Sequence, residues 1–186
     1  MNSHQAVLAM VLFIFGISAK YADLYNEHGL KERFKGISYL CGIVWGLCGV
    51  ITIIISPFAG ITYIAHVLYW FHRVKLEYPN HAVAGVMILL GGYYFQGDIL
   101  FKYRDELIIL YLSYLITGYL NVYLKYNYTV LRKFLRLRLR IYLIPVCYAW
   151  YHHDLDPIIA TVFGMLGTEL ITNVYKKYSN DCCIIN

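Results

Sequence analysis

Residues Ile37–Ser56 read ISYLCGIVWGLCGVITIIIS, twenty positions without a single charge. An α-helix needs about 20 predominantly apolar residues to cross the hydrocarbon core of a bilayer, and this run supplies them. Working outward from it, further apolar runs cover Gln5–Ala19, Phe58–Phe71, His81–Gly97, Leu107–Leu124, Ile141–Tyr151 and Pro157–Tyr175. Short charged clusters separate them, which is the pattern of repeated membrane insertion. Gln5–Ala19 has no positive leader and is followed by Lys20, so it reads as a retained first span.

Composition points the same way. Of 186 residues, 60% are hydrophobic and 15% charged, too little polar surface for a water-soluble domain of this size. The expected fold is therefore all-α: a polytopic membrane helix bundle of about seven transmembrane helices. Residues 1–186 form one integral membrane domain in this reading, multi-pass in the cell membrane. The net charge of +5 is expected to meet the lipid bilayer and no nucleic acid, because the basic residues sit between apolar runs.

The charges also orient the chain. With seven crossings and the N-terminus outside, Lys102 and Arg104 fall outside, and the other fourteen Lys and Arg fall in the cytoplasm with the C-terminus. Cytoplasmic loops are enriched in Lys and Arg, so fourteen against two is the expected sign. Were Phe58–Phe71 not to cross, the split would become six against ten. The first, third and sixth runs are nevertheless short, against a lower limit of roughly 17 residues. Gly42, Gly46 and Gly49, then Gly91 with Gly92, then Gly164 with Gly167, mark where helices are expected to approach closely.

The chemistry gathers at the cytoplasmic face. If the first helix continues past the apolar run, Lys20, Asp23 and Glu27 share one side of it, being three and four residues apart. Two carboxylates one turn apart can hold a divalent cation such as Mg²⁺, so Asp23 and Glu27 are candidate metal ligands. Arg73 and Lys75 follow the third run and suit an anionic head group. Asn80 reads as the cap of the fourth helix, and His81 beside it as an acid or base.

Glu169 is the remaining candidate catalytic group. It lies six residues before Tyr175, about 9 Å inside the last run at 1.5 Å per residue. A carboxylate at that depth is costly and marks a functional site by default. Thr161, Gly164, Thr168 and Thr172 suggest a polar stripe that turns it toward the bundle, with Asn121 and Lys125 as substrate-binding partners on the fifth run. On the outer side, His152, His153, Asp154 and Asp156, with Asp98, Asp105 and Glu106 on the other outer loop, are weighed as a Zn²⁺ or Mn²⁺ site.

In layout, Asp23-x-x-x-Glu27, the basic loop after it and the Gly36-Ile37-Ser38 start of the next run resemble the first aspartate motif of membrane prenyltransferases. The further aspartates of that family and its second motif have no counterpart, so membership does not follow. The reading is a membrane-embedded enzyme acting on a lipid or isoprenoid with an anionic head group. The alternatives are a small transporter or ion-coupled carrier using Glu169, His66 and Asn121, or a non-catalytic subunit of a membrane complex. The sequence leaves the oligomeric state open.

Overall fold

The computed structural model describes residues 2–27, 30, 34–72, 78–127 and 139–183. Among them it holds seven α-helices and no strand. These are α1 (Ser3–Glu27), α2 (Ile37–Ile55), α3 (Pro57–His72), α4 (Pro79–Lys102), α5 (Arg104–Asn127), α6 (Leu139–His152) and α7 (Asp156–Cys183).

Proline sets several starts. Pro57 opens α3, Pro79 is the first residue of α4 and Pro157 the second of α7, positions where a missing N–H costs nothing. Between α2 and α3 only Ser56 is non-helical, and its hydroxyl accepts the Ala59 N–H at 3.3 Å. At that single residue the chain reverses, since Trp45 of α2 meets Trp70 of α3 at 5.4 Å. Every neighbouring pair follows the same rule. Gly42 approaches Asn80 and Gly49 approaches Ile88, so α2 and α4 run parallel. His4 reaches Asp156 and Gly16 reaches Gly164, so α1 and α7 run parallel. Phe58 meets Tyr103 and His66 meets Tyr114, so α3 and α5 do too. The helices thus alternate in direction. One end of the bundle carries His4, Ile55, Lys102, Arg104 and His152, and the other carries Asp23, His81 and His72.

Among the described residues, four helical stretches are long and apolar enough to cross a membrane: Ser3–Asn26, Ile37–Ile55, Pro79–Lys102 and Asp156–Lys176. This corrects one expectation. The first helix is long, because it continues through Lys20 for another two turns instead of stopping at the charge. The fifth is 24 residues long, and several side chains of its last two turns lie outside the described residues. As expected, α3 and α6 are short, with 16 and 14 residues. In α4 the helix kinks at Gln96 (φ −136°, ψ 25°), just before Gly97.

Packing rests on close approach rather than on exclusion of water, because lipid tails solvate an apolar side chain as well as a protein core does. A Cβ on Gly16 would collide with the Gly164 carbonyl oxygen, and one on Gly167 with that of Phe13, so α1 and α7 touch backbone to backbone. Gly42 gives the same intimacy between α2 and the start of α4. Leu12, Phe15, Trp45, Ile53, Val67 and Ile88 fill the space among α1, α2, α3 and α4. Tyr69, Leu110, Tyr114, Ile144 and Tyr148 fill a second space among α3, α5 and α6.

Candidate functional site

The last two turns of α1 bury Ala22 and Leu24 and leave Asp23 between them half-exposed at the bundle's end. The side chain of Asp23 faces the start of α4. Its Oδ1 stands 3.1 Å from Nε2 of His81, and its Oδ2 stands 3.6 Å from Nζ of Lys20. The carboxylate is therefore shared between a cation on its own helix and an imidazole on another.

His81 is 5% exposed. The edge-to-face rings of Trp45 at 5.3 Å and Tyr78 at 5.7 Å enclose it. Trp45 Nε1 and His81 Nε2 are buried without an aligned hydrogen bond among the described residues. For His81 the Asp23 carboxylate oxygen is at contact distance, 3.1 Å, but off the N–H direction, so the contact is not a linear hydrogen bond. Buried polar nitrogens without partners are uncommon in folded proteins and mark places where a structure gives up stability for another purpose.

Asn80 is the residue whose part was misread. It does not cap α4; Tyr78 stands at the cap with an extended backbone (φ −86°, ψ 132°) and Asn80 lies one residue inside the helix. There it is 2% exposed. Its Oδ1 accepts the backbone N–H of His81 at 2.8 Å and the side-chain amide of Asn26, while its own Nδ2 donates to the Ala22 carbonyl at 3.5 Å. Asn80 thus ties the start of α4 to the last turns of α1 and fixes the spacing between His81 and Asp23. Gly42 is the second half of this arrangement, because any side chain there would strike the Asn80 carbonyl.

The other expected residues stand apart from this pair or outside the description. Arg73 and Lys75 fall outside the described residues. Glu27 ends α1, and Asn121 with Lys125 lies in the last two turns of α5; their side chains are outside the described residues as well. Among the described residues no group of three His, Cys, Asp or Glu side chains is placed to hold a metal ion. Glu169 is exposed, on the outward side of α7, and does not face the bundle as the polar stripe suggested. The stripe itself is the packing seam to α1, where Thr168 Oγ1 donates to the Gly164 carbonyl at 3.0 Å and lies 3.4 Å from that of Gly16. One residue further along a helix is turned by about 100°, so Glu169 leaves the seam as Thr168 enters it. His66 stacks on Tyr114 with ring centroids 4.7 Å apart and touches Trp70, as a residue of the aromatic core would.

At the opposite end a second group appears. Glu106 Oε2 accepts from Tyr148 at 2.9 Å and lies 2.7 Å from His152 Nε2, while Phe58 stacks on the imidazole at 4.2 Å. The anticipated outer metal set is divided among different partners. His152 turns to Glu106, Asp154 accepts the Asp156 N–H at 2.9 Å, Asp156 faces His4 at 3.7 Å, and His153 takes a left-handed turn (φ 53°). Comparison of the chain with protein-family models, with curated proteins and with solved structures finds no match.

Proposed function

We propose that this chain is a membrane-embedded enzyme that moves a proton on a lipid or isoprenoid with an anionic head group, at the cytoplasmic face of the membrane. The observation that carries the proposal is the Asp23 carboxylate 3.1 Å from the buried imidazole of His81, at the end of a bundle with membrane-length helices. A carboxylate in contact with an imidazole puts two groups that can give and take a proton side by side, which is the arrangement acid–base work needs. Asp23 opens toward the bundle's end and His81 lies behind it, so the two act as one proton-transfer unit. Lys20 sits beside them, and in the sequence Arg73 and Lys75 stand between the end of α3 and the start of α4, the basic residues proposed to bind the anionic head group.

The alternation of the helices supports the orientation read from the charges, with Lys102 and Arg104 at the outer end. Single-cysteine labelling from outside intact cells is expected to reach Asp154→Cys and to miss Glu32→Cys. Labelling of both from one side would remove the seven-crossing arrangement.

Turnover is tested with purified protein in vesicles carrying phosphatidate, phosphatidylglycerol or farnesyl diphosphate, with the lipids followed by mass spectrometry. The wild type is expected to consume one of them and His81→Ala to leave it intact. No consumption, together with cation uptake that depends on Glu169, would replace the enzyme with a carrier.

A divalent cation at Asp23 and Glu27 would compete with Lys20 and His81 for the same carboxylate. Thermal melts with and without millimolar Mg²⁺ are therefore expected to coincide. A rise with Mg²⁺ that Asp23→Asn abolishes would reinstate the cation and give Asp23 a ligand's role instead.

A further inference from the structure

The outward side of α7 differs from the exposed sides of the other three membrane-length helices. In mid-helix those sides show Val7, Met10 and Ile14 on α1, Ile43, Leu47 and Ile51 on α2, and Val86 and Leu90 on α4. Hydrocarbon solvates such residues without cost. On α7 the exposed residues are Val162, Leu166, Glu169, Leu170, Asn173, Val174 and Lys176, and of these Val162, Leu166, Glu169, Asn173 and Lys176 follow one another in steps of four, three, four and three. That alternation keeps them on one line and is the seam of a left-handed helix pair. The opposite side of α7 is occupied, since Gly164, Gly167 and Thr168 lie against α1.

Glu169 and Asn173 make no hydrogen bond or ion pair among the described residues. Glu169 is seven residues from Lys176, the end of the membrane-length stretch, about 10 Å along the helix. A glutamate side chain is too short to bring its carboxyl out to the head groups over that distance. Polar side chains at such depth are normally covered by another helix that supplies a partner.

We propose that this face of α7 pairs with the same face of a second copy of the chain, about a two-fold axis along the membrane normal. Two copies inserted with one topology present their α7 helices parallel, so each position meets its own counterpart and the residues one turn away. Glu169 and Asn173 are one turn apart. The Asn173 amide of each copy then donates to the Glu169 carboxyl of the other, and the bond forms twice. The face is thus self-complementary in donors and acceptors, with Val162 and Leu166 continuing the contact toward the outer end. This pairing is independent of the acid–base reading of Asp23 and His81.

The test is oxidative cross-linking in native membranes, in a chain whose own five cysteines are replaced by alanine. Leu166→Cys is expected to form a disulfide-linked dimer and Leu90→Cys, on the exposed side of α4, to remain monomeric. Replacing Glu169 and Asn173 by leucine is expected to weaken dimerisation about tenfold, the effect of losing two interhelical hydrogen bonds of ordinary strength in a membrane. The unmodified chain in lipid nanodiscs gives a second readout that needs no substitution, its mass being that of two copies. A monomer in nanodiscs, equal cross-linking through Leu90 and Leu166, or one copy bound to a different polypeptide would each overturn the pairing.

Discussion

His81→Ala is expected to lower turnover of the anionic lipid by about 100- to 10,000-fold, the range that a positioned acid–base group contributes. The reason lies in how little else could substitute for it. His81 is enclosed by Trp45 and Tyr78, and among the described residues its one charged contact is the Asp23 carboxylate at 3.1 Å. Asp23→Asn should cost nearly as much. Asparagine keeps the size of the side chain but removes the carboxylate that can exchange a proton with the imidazole. Because the two groups work as a unit, the double variant should be no slower than His81→Ala alone, as coupled catalytic groups behave. Kinetics separate this from a merely structural role. The turnover number should fall while KM holds, and thermal melts should stay near the wild type. A raised KM with unchanged turnover would make His81 a binding residue.

The membrane helices were legible because they need only local composition: Ile37–Ser56 announces itself without reference to any other part of the chain. Lengths were harder. At Lys20 the apolar run stops but the helix does not, since Lys20 pairs with Asp23 one turn on and Ala22 and Leu24 remain buried. The candidate site was half legible. Asp23 and His81 both stood out, yet with separate roles, because their proximity depends on Asn80 bridging to Asn26 and Ala22 across two helices. A local rule assigned Asn80 to a cap, and long-range packing assigned it elsewhere. Glu169 shows the same limit. Its polar neighbours were identified correctly, but which side of α7 meets the bundle is decided by the contact of Gly16 with Gly164, and Gly16 carried no signal of its own within an apolar run.

Glu106→Leu is expected to destabilise the protein by about 2–4 kcal/mol, from the loss of one acceptor that serves two buried donors. Glu106 lies in the first turn of α5, and through Oε2 alone it receives the Tyr148 hydroxyl at 2.9 Å and faces His152 Nε2 at 2.7 Å. Tyr148 is 6% exposed, and the His152 side chain 12%, so neither can turn to water when the carboxylate goes. Removing an acceptor strands its donors, and a stranded donor costs more than the bond it made was worth. Tyr148→Phe removes a donor instead and leaves Glu106 still paired with His152, so its cost should be near 1 kcal/mol. Leucine at 106 with phenylalanine at 148 and 152 should recover part of the loss, since no polar group is then left buried alone and Phe58 can stack on the new ring as it does on His152. In thermal melts Glu106→Leu should fall by roughly 4–10 °C. A melt within a degree of the wild type would mean that this cluster does not hold α5 to α6, and that the packing of Ile144 and the Tyr148 ring with Leu110 and Tyr114 joins them instead.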